Sequence, residues 1–282
     1  MLLQRVVSAT VGIPVVVVLT LIGGVPYALA VALILALGAL EFYAATDPET
    51  SATSPTHPRL RRAAPSLFGQ RMPAFAGCAG VALLVAAAYE GLDELTGVLA
   101  ALIAGIFLVL ILRQEAQTGL RDWLWAVGGA AYIGFLGAHL VLLRDLDHGS
   151  DWVFVAVFAT FVADTAAYFV GRVLGRRQIA PAVSPRKTVE GGIAGFVAGF
   201  AAVFLLVWAL GLEVDELKLI PLALLLPVVA VIGDLGESLI KRGAGVKDTS
   251  DLVPGHGGFL DRLDSILFTT PLVYYFVIWV VL

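Results

Sequence analysis

Nine runs of apolar residues, at about 6–23, 25–46, 74–90, 96–112, 123–143, 152–171, 190–212, 218–240 and 265–282, constrain this chain more than any other feature. Several reach the ~20 residues that a helix needs to cross a hydrocarbon core of roughly 30 Å. Backbone N–H and C=O groups find no water at that depth, so such runs fold as helices or as broken helices packed on one another. The composition agrees: 59% of the 282 residues are hydrophobic and 14% are charged, outside the range of soluble globular domains. The expected fold is all-α, a polytopic integral membrane protein of about nine transmembrane helices.

The first run, behind Gln4 and Arg5, is long for a signal-peptide core, and a second follows it after one short turn, so it reads as the first transmembrane helix. The single cysteine, Cys78, lies in an apolar segment and excludes both an internal disulfide and a Cys-based metal site. Glycines recur within the spans, as in "GGIAGFVAGF" (Gly191 to Phe200), and permit close helix approach.

Basic residues orient the chain. With the N-terminus inside, only Arg144 and Lys218 of the eighteen Lys and Arg fall outside. The outer connections instead carry the acidic groups "EGLDE", "RDLDHGSD" and "EVDELK". The expectation is a multi-pass protein of the cell inner membrane, N-terminus cytoplasmic and C-terminus outside. Residues 1–150 hold about five helices and a basic cytoplasmic linker, 47–73; residues 151–282 hold about four helices and a cytoplasmic-face active site. The linker's Arg59, Arg61, Arg62 and Arg71 either lie against anionic headgroups or are simply solvated.

Polar chemistry gathers in the last third. In "VIGDLGESLIKR", Asp234, Glu237, Ser238 and Lys241 stand at i, i+3, i+4 and i+7, one face of a helix whose polar end lies at the cytoplasmic boundary. Carboxylates at such depth are costly and usually face a cavity or a partner. The glycine-rich stretch "GAGVKDTSDLVPGHGG" reads as a loop and supplies Lys247, Asp248 and His256. "FLDRLDS" then brings Asp261 and Asp264, with Arg262 between them, to the start of the last span. Oxygen donors of this kind suit a hard cation such as Mg²⁺, which commonly bridges carboxylates to substrate phosphates. Lys241, Arg242, Lys247 and Arg262 offer positive charge to those phosphates. Upstream, Asp164 lies inside an apolar helix. Ser184, Arg186, Lys187 and Thr188 of "SPRKTVEGG" precede a glycine-rich helix start, which suits an anion. The same stretch also fits a basic loop that merely obeys topology. Taken together, the pattern reads as metal-assisted phosphoryl or nucleotidyl transfer at a membrane surface. A transporter using Asp164 and Asp234 for ion coupling is the rival from another class; polarity confined to one face, without a repeat, argues against it.

The run "SLIKRGAGVKDTSDLVPGHGGFLDRLD" (Ser238 to Asp264) resembles the signature of the phosphatidate cytidylyltransferases, or CDP-diacylglycerol synthases: S-x-x-K-R, four residues, K-D, then P-x-H-G-G-x-x-D-R-x-D. "DTAAYFVGR" and "SPRKTVEGG" are similar to a second block of that family, with Ala166 and Val253 as small apolar departures. The resemblance implies transfer of a cytidylyl group from CTP to phosphatidic acid, with Mg²⁺ and a second cation of unspecified identity. It implies Asp234 and Asp261 as metal ligands, with Glu237 and Asp264 as further ligands or their orienters. Lys241 and His256 join Asp234 and Asp261 as catalytic candidates. Ser184, Arg186, Lys187, Thr188, Ser238, Arg242, Lys247, Asp248 and Arg262 are the substrate-binding candidates. A homodimer in the bilayer is implied, and no nucleic-acid partner.

Overall fold

The computed structural model describes residues 2–47, 72–114, 117–246, 249–250 and 258–282. The apolar runs fold as helices α1 (Leu2–Ile22), α2 (Gly24–Thr46), α3 (Met72–Glu90) and α4 (Leu92–Leu112). α5 (Gly119–Gly129) continues through a π-helical segment, Ala130–Phe135, into α6 (Leu136–Asp145). Then come α7 (Gly149–Leu174), α8 (Val189–Ala209), α9 (Glu216–Gly243), the single turn α10 (Leu260–Leu263) and α11 (Ile266–Phe276), which ends in a second π-helical segment, Val277–Val281. Among the described residues eight helical paths are long and apolar enough to cross a membrane. The remaining expected crossing falls on α1, whose described apolar stretch is Gly12–Ile22. The chain is an all-α polytopic membrane protein, with one small β-hairpin among the described residues.

The chain divides into two compact units. The first comprises Met1–Asp145 together with Gly243–Arg262. At its centre Leu35, Ala39 and Tyr43 of α2 meet Val81 and Leu84 of α3, Ala126 of α5 and Ile133 of the π segment, all wholly buried. Tyr43 keeps a polar end in this core because its hydroxyl donates to the Ala126 carbonyl at 2.6 Å. Its ring stands edge-on to Trp125, centroids 5.3 Å apart. Gly77 and Gly129 flank the phenol so closely that a methyl at either would overlap it. Gly129→Ala is therefore expected to destabilise the protein by about 1–3 kcal/mol through overpacking. Gly128→Ala, whose added methyl meets nothing within 4 Å, serves as the control; thermal unfolding in detergent separates the two. Arg144 closes the other end of the unit, donating to the carbonyls of Thr20 at 2.5 Å and Leu21 at 3.1 Å. These carbonyls at the α1 terminus have no partner within the helix. Gly23 follows at φ +69°, in the left-handed region, with Arg144 filling the space a side chain would need.

The second unit comprises Leu146–Arg242 and Leu263–Leu282. α7 and α8 lie almost backbone to backbone: a Cβ on Gly195 would stand 2.8 Å from the Ala163 carbonyl, and one on Gly191 would stand 2.6 Å from that of Ala167. This is the close approach expected from the glycine-rich run. The hydroxyls of Thr160 of α7 and Thr269 of α11 are hydrogen-bonded at 3.0 Å, Thr160 accepting while it donates to the Ala156 carbonyl at 2.7 Å, and Trp152 packs against Phe276.

Two local departures from expectation matter for the site. The connection between α7 and α8 is a β-hairpin, β1 (Gln178–Ala180) antiparallel to β2 (Ser184–Thr188), with Gln178 opposite Thr188. Glu190 secures it by accepting the backbone N–H groups of Arg176 at 2.9 Å and Arg177 at 3.2 Å, while the Gln178 amide donates to the Pro185 carbonyl. The last span, moreover, is not a continuous helix from Asp261 onward. It breaks after α10, where the Asp264 carboxylate accepts the N–H of Ser265 at 2.7 Å and so competes with the helical ladder. Gly233 of α9 seats the break, its missing Cβ leaving room for the Asp264 carbonyl and Ser265.

Candidate active site

α9 presents Asp234, Glu237, Ser238 and Lys241 along one face, as their spacing requires. Glu237 is 1% exposed, and Lys241 one turn on places its ammonium 2.5 Å from the Glu237 carboxylate. Asp234 pairs instead across elements, with Lys187 of β2, at 2.6 Å. The hairpin thus delivers a cation that a free loop would not hold in register. The break between α10 and α11 supplies Asp264. Carboxylate oxygens of Asp234, Glu237 and Asp264 lie within 4.8 Å of one another. Asp164 of α7 joins them: its electrostatic neighbours include Asp234 and Lys187, and those of Asp264 include Asp234, Asp164 and Lys241.

Four carboxylates and two lysines leave a surplus of negative charge in a poorly solvated place. Carboxylate oxygens with such a surplus fit a hard divalent cation, which takes carboxylate ligands and brings the missing positive charge. Beside Asp234 opens a cavity of about 610 Å³, lined on its polar side by Asp164, Tyr168, Arg172, Ser184, Arg186, Lys187 and Thr188. It combines a hydrophobic wall from α7 and α9 with a basic rim from the hairpin, the arrangement an anionic, partly apolar ligand needs.

The expected site residues therefore separate. Asp234, Glu237, Asp264, Lys187 and Lys241 come together, with Ser184 and Arg186 on the adjoining wall. Thr188 lines the cavity too, but its hydroxyl caps α8 by accepting the Gly191 N–H at 3.2 Å. Ser238 is buried on α9. Arg242 turns to the hairpin, donating to the Val183 carbonyl at 3.3 Å. Asp261 and Arg262 belong to the first unit, where the Asp261 carboxylate accepts the Gly258 N–H at 2.8 Å. Lys247, Asp248 and His256 lie outside the described residues. The site residue that spacing alone did not nominate is Asp164. Its signal was present, a lone acid in an apolar helix.

Fold and site together define a multi-pass membrane protein that gathers acids and lysines beside a cavity with a basic rim. The chain belongs to the cytidylyltransferase family, whose profile matches residues 3–280. A phosphatidate cytidylyltransferase of Synechocystis sp. is 31% identical to it over 98% of this chain and 96% of its own length. Proteins of the same name are 38% identical: in Bacillus subtilis over 52% of this chain and 55% of that protein, and in Brucella suis over 62% and 63%.

Proposed function

We propose that this protein transfers the cytidylyl group of CTP to phosphatidic acid, giving CDP-diacylglycerol and pyrophosphate for phospholipid synthesis. The observation that carries the reading is the meeting of Asp234, Glu237 and Asp264 with Lys187 and Lys241 beside a cavity with a basic rim. A phosphate oxygen of the lipid forms a bond to the α-phosphorus of CTP, the bond from that phosphorus to the bridging oxygen breaks, and pyrophosphate departs with its electrons. The lipid phosphate is already anionic near neutrality, so the nucleophile needs no strong general base. Orientation and charge compensation carry the work.

Ser184, Arg186 and Lys187 hold phosphate oxygens along the hairpin wall, and Arg172 extends the same basic rim. Lys241 keeps the buried Glu237 carboxylate in place. Asp234, Glu237 and Asp264 would hold Mg²⁺, which supplies positive charge to the phosphates and to the charge developing in the transition state. Asp261, Arg262, Lys247, Asp248 and His256 act from the signature run, and the acidic residues would also hold a second cation, which would add positive charge at the phosphates. The active region is residues 151–282, carried on helices of residues 1–150. The protein crosses the inner membrane nine times, N-terminus in the cytoplasm and C-terminus outside, with this site on the cytoplasmic face, and it works as a homodimer. The excess of Lys and Arg in the connections on that side supports the orientation.

Purified protein in detergent, given phosphatidic acid, Mg²⁺ and radiolabelled CTP, is expected to move label into the lipid phase and to release pyrophosphate in equal amount. EDTA should stop the transfer, and Mg²⁺ should restore it. Folded protein that leaves the lipid unlabelled across several acyl chains would overturn the reading. Transfer indifferent to EDTA would remove the metal from it.

A further inference from the structure

Glu41 sits in α2 within the run "GALEFYAA" and is wholly buried. A carboxylate taken out of water costs several kcal/mol unless its oxygens are supplied with donors. Oε1 accepts from the Ser250 hydroxyl at 2.5 Å and from the Phe259 N–H at 3.0 Å. Oε2 accepts from the Leu260 N–H at 2.8 Å and from the Thr249 hydroxyl at 3.3 Å. All four donors come from the signature run, two from each of its described flanks. Gly258 lies so close to this carboxylate and to the Thr249 hydroxyl that a Cβ would overlap both, which accounts for the second glycine of "HGG". Its N–H in turn donates to Asp261 at 2.8 Å. Continuous contacts thus lead, within the first unit, from Glu41 through Gly258–Leu260 to the Asp261 carboxylate.

The geometry points to Glu41 as a positioning residue: a buried four-point clamp that sets both flanks of the signature run and, through Gly258, the placement of Asp261. The kinetic part of this inference rests on the reaction proposed above; the clamp itself does not. The chemistry is specific to a carboxylate, which offers acceptor directions on both oxygens. Hydroxyl groups can turn and accept from an amide, but backbone N–H groups cannot. Glutamine at this position would therefore set its NH₂ against either Phe259 or Leu260 whichever way it flipped.

The test uses the full chain in detergent, comparing wild type, Glu41→Gln and Ser250→Ala. Hydrogen exchange in peptides covering residues 258–262 should rise about ten-fold or more in Glu41→Gln, with α3 and α8 unchanged, because one backbone hydrogen bond of ordinary worth is lost and its neighbour loosened. Turnover should fall by about 10–100-fold, the scale of a misplaced catalytic element, with the KM for CTP changed less than about three-fold. Ser250→Ala should move both readouts in the same direction by less, and it decides the matter if Glu41→Gln fails to fold. Unchanged exchange at 258–262, exchange raised evenly through the molecule, or unchanged turnover with a loosened segment would each overturn the assignment. A wild type that leaves lipid unlabelled would instead sink the proposed reaction, while the exchange comparison still judges the clamp.

Discussion

Asp234→Asn is expected to lower cytidylyl transfer by about 10²–10³-fold, the cost of removing one preorganised electrostatic contact from a transition state. The substitution keeps the shape of the side chain and removes its charge. Asp234 is the residue on which the site's interactions converge: it pairs with Lys187 at 2.6 Å, faces Asp164 and Asp264, and lines the cavity. Neutralising it frees the Lys187 ammonium to swing from its register and takes an oxygen ligand from the acidic group. The side chain is one-third exposed, so the fold should tolerate the change, and thermal unfolding in detergent should stay near wild type. Loss of labelled lipid together with a preserved unfolding temperature is the expected result. A variant that keeps more than about a third of the activity would remove Asp234 from the centre of the reaction.

Lys241→Met should produce the largest loss of stability at the site. Glu237 is 1% exposed and has the Lys241 ammonium 2.5 Å away. Removing the cationic partner of a buried ion pair costs about 3–5 kcal/mol, because the remaining charge keeps its desolvation penalty without the attraction that offset it. The double variant Lys241→Met with Glu237→Leu should recover most of that loss, since two apolar side chains of similar volume often replace a buried pair without penalty. Both proteins should be inactive. The unfolding is best followed in EDTA, so that no divalent cation stands in for the ammonium. If the double variant is as unstable as the single one, the pair does not act as a unit, and Glu237 is held chiefly by other contacts.

Hydropathy made the spans legible because membrane depth demands about twenty apolar residues in a row, and the helices from Gly24 to Val281 follow those runs within a few residues at most ends. The face shared by Asp234, Glu237 and Lys241 was equally legible, since helical spacing alone places them together. The hairpin was not. "SPRKT" has too few residues for alternation to emerge, and its basic side chains fit a solvated loop equally well. The break at Asp264 was hidden because an acid just before an apolar run looks like an ordinary helix start. Glu41 was hidden for a different reason. Its meaning lies in donors 208 to 219 residues away in sequence, and no local pattern carries that information.

That separation has a consequence for how the protein is made. The first unit needs Gly243–Arg262 to be complete, yet α2 leaves the ribosome some two hundred residues earlier. At the usual ~5–20 residues per second of synthesis, the acid of α2 waits about 10–40 s before its donors emerge. Through that interval the nascent chain carries an unanswered carboxylate in a greasy helix. The N-terminal unit therefore stays unfinished until nearly the whole chain has been made, and only the second unit, which needs Leu263–Leu282, is completed after it.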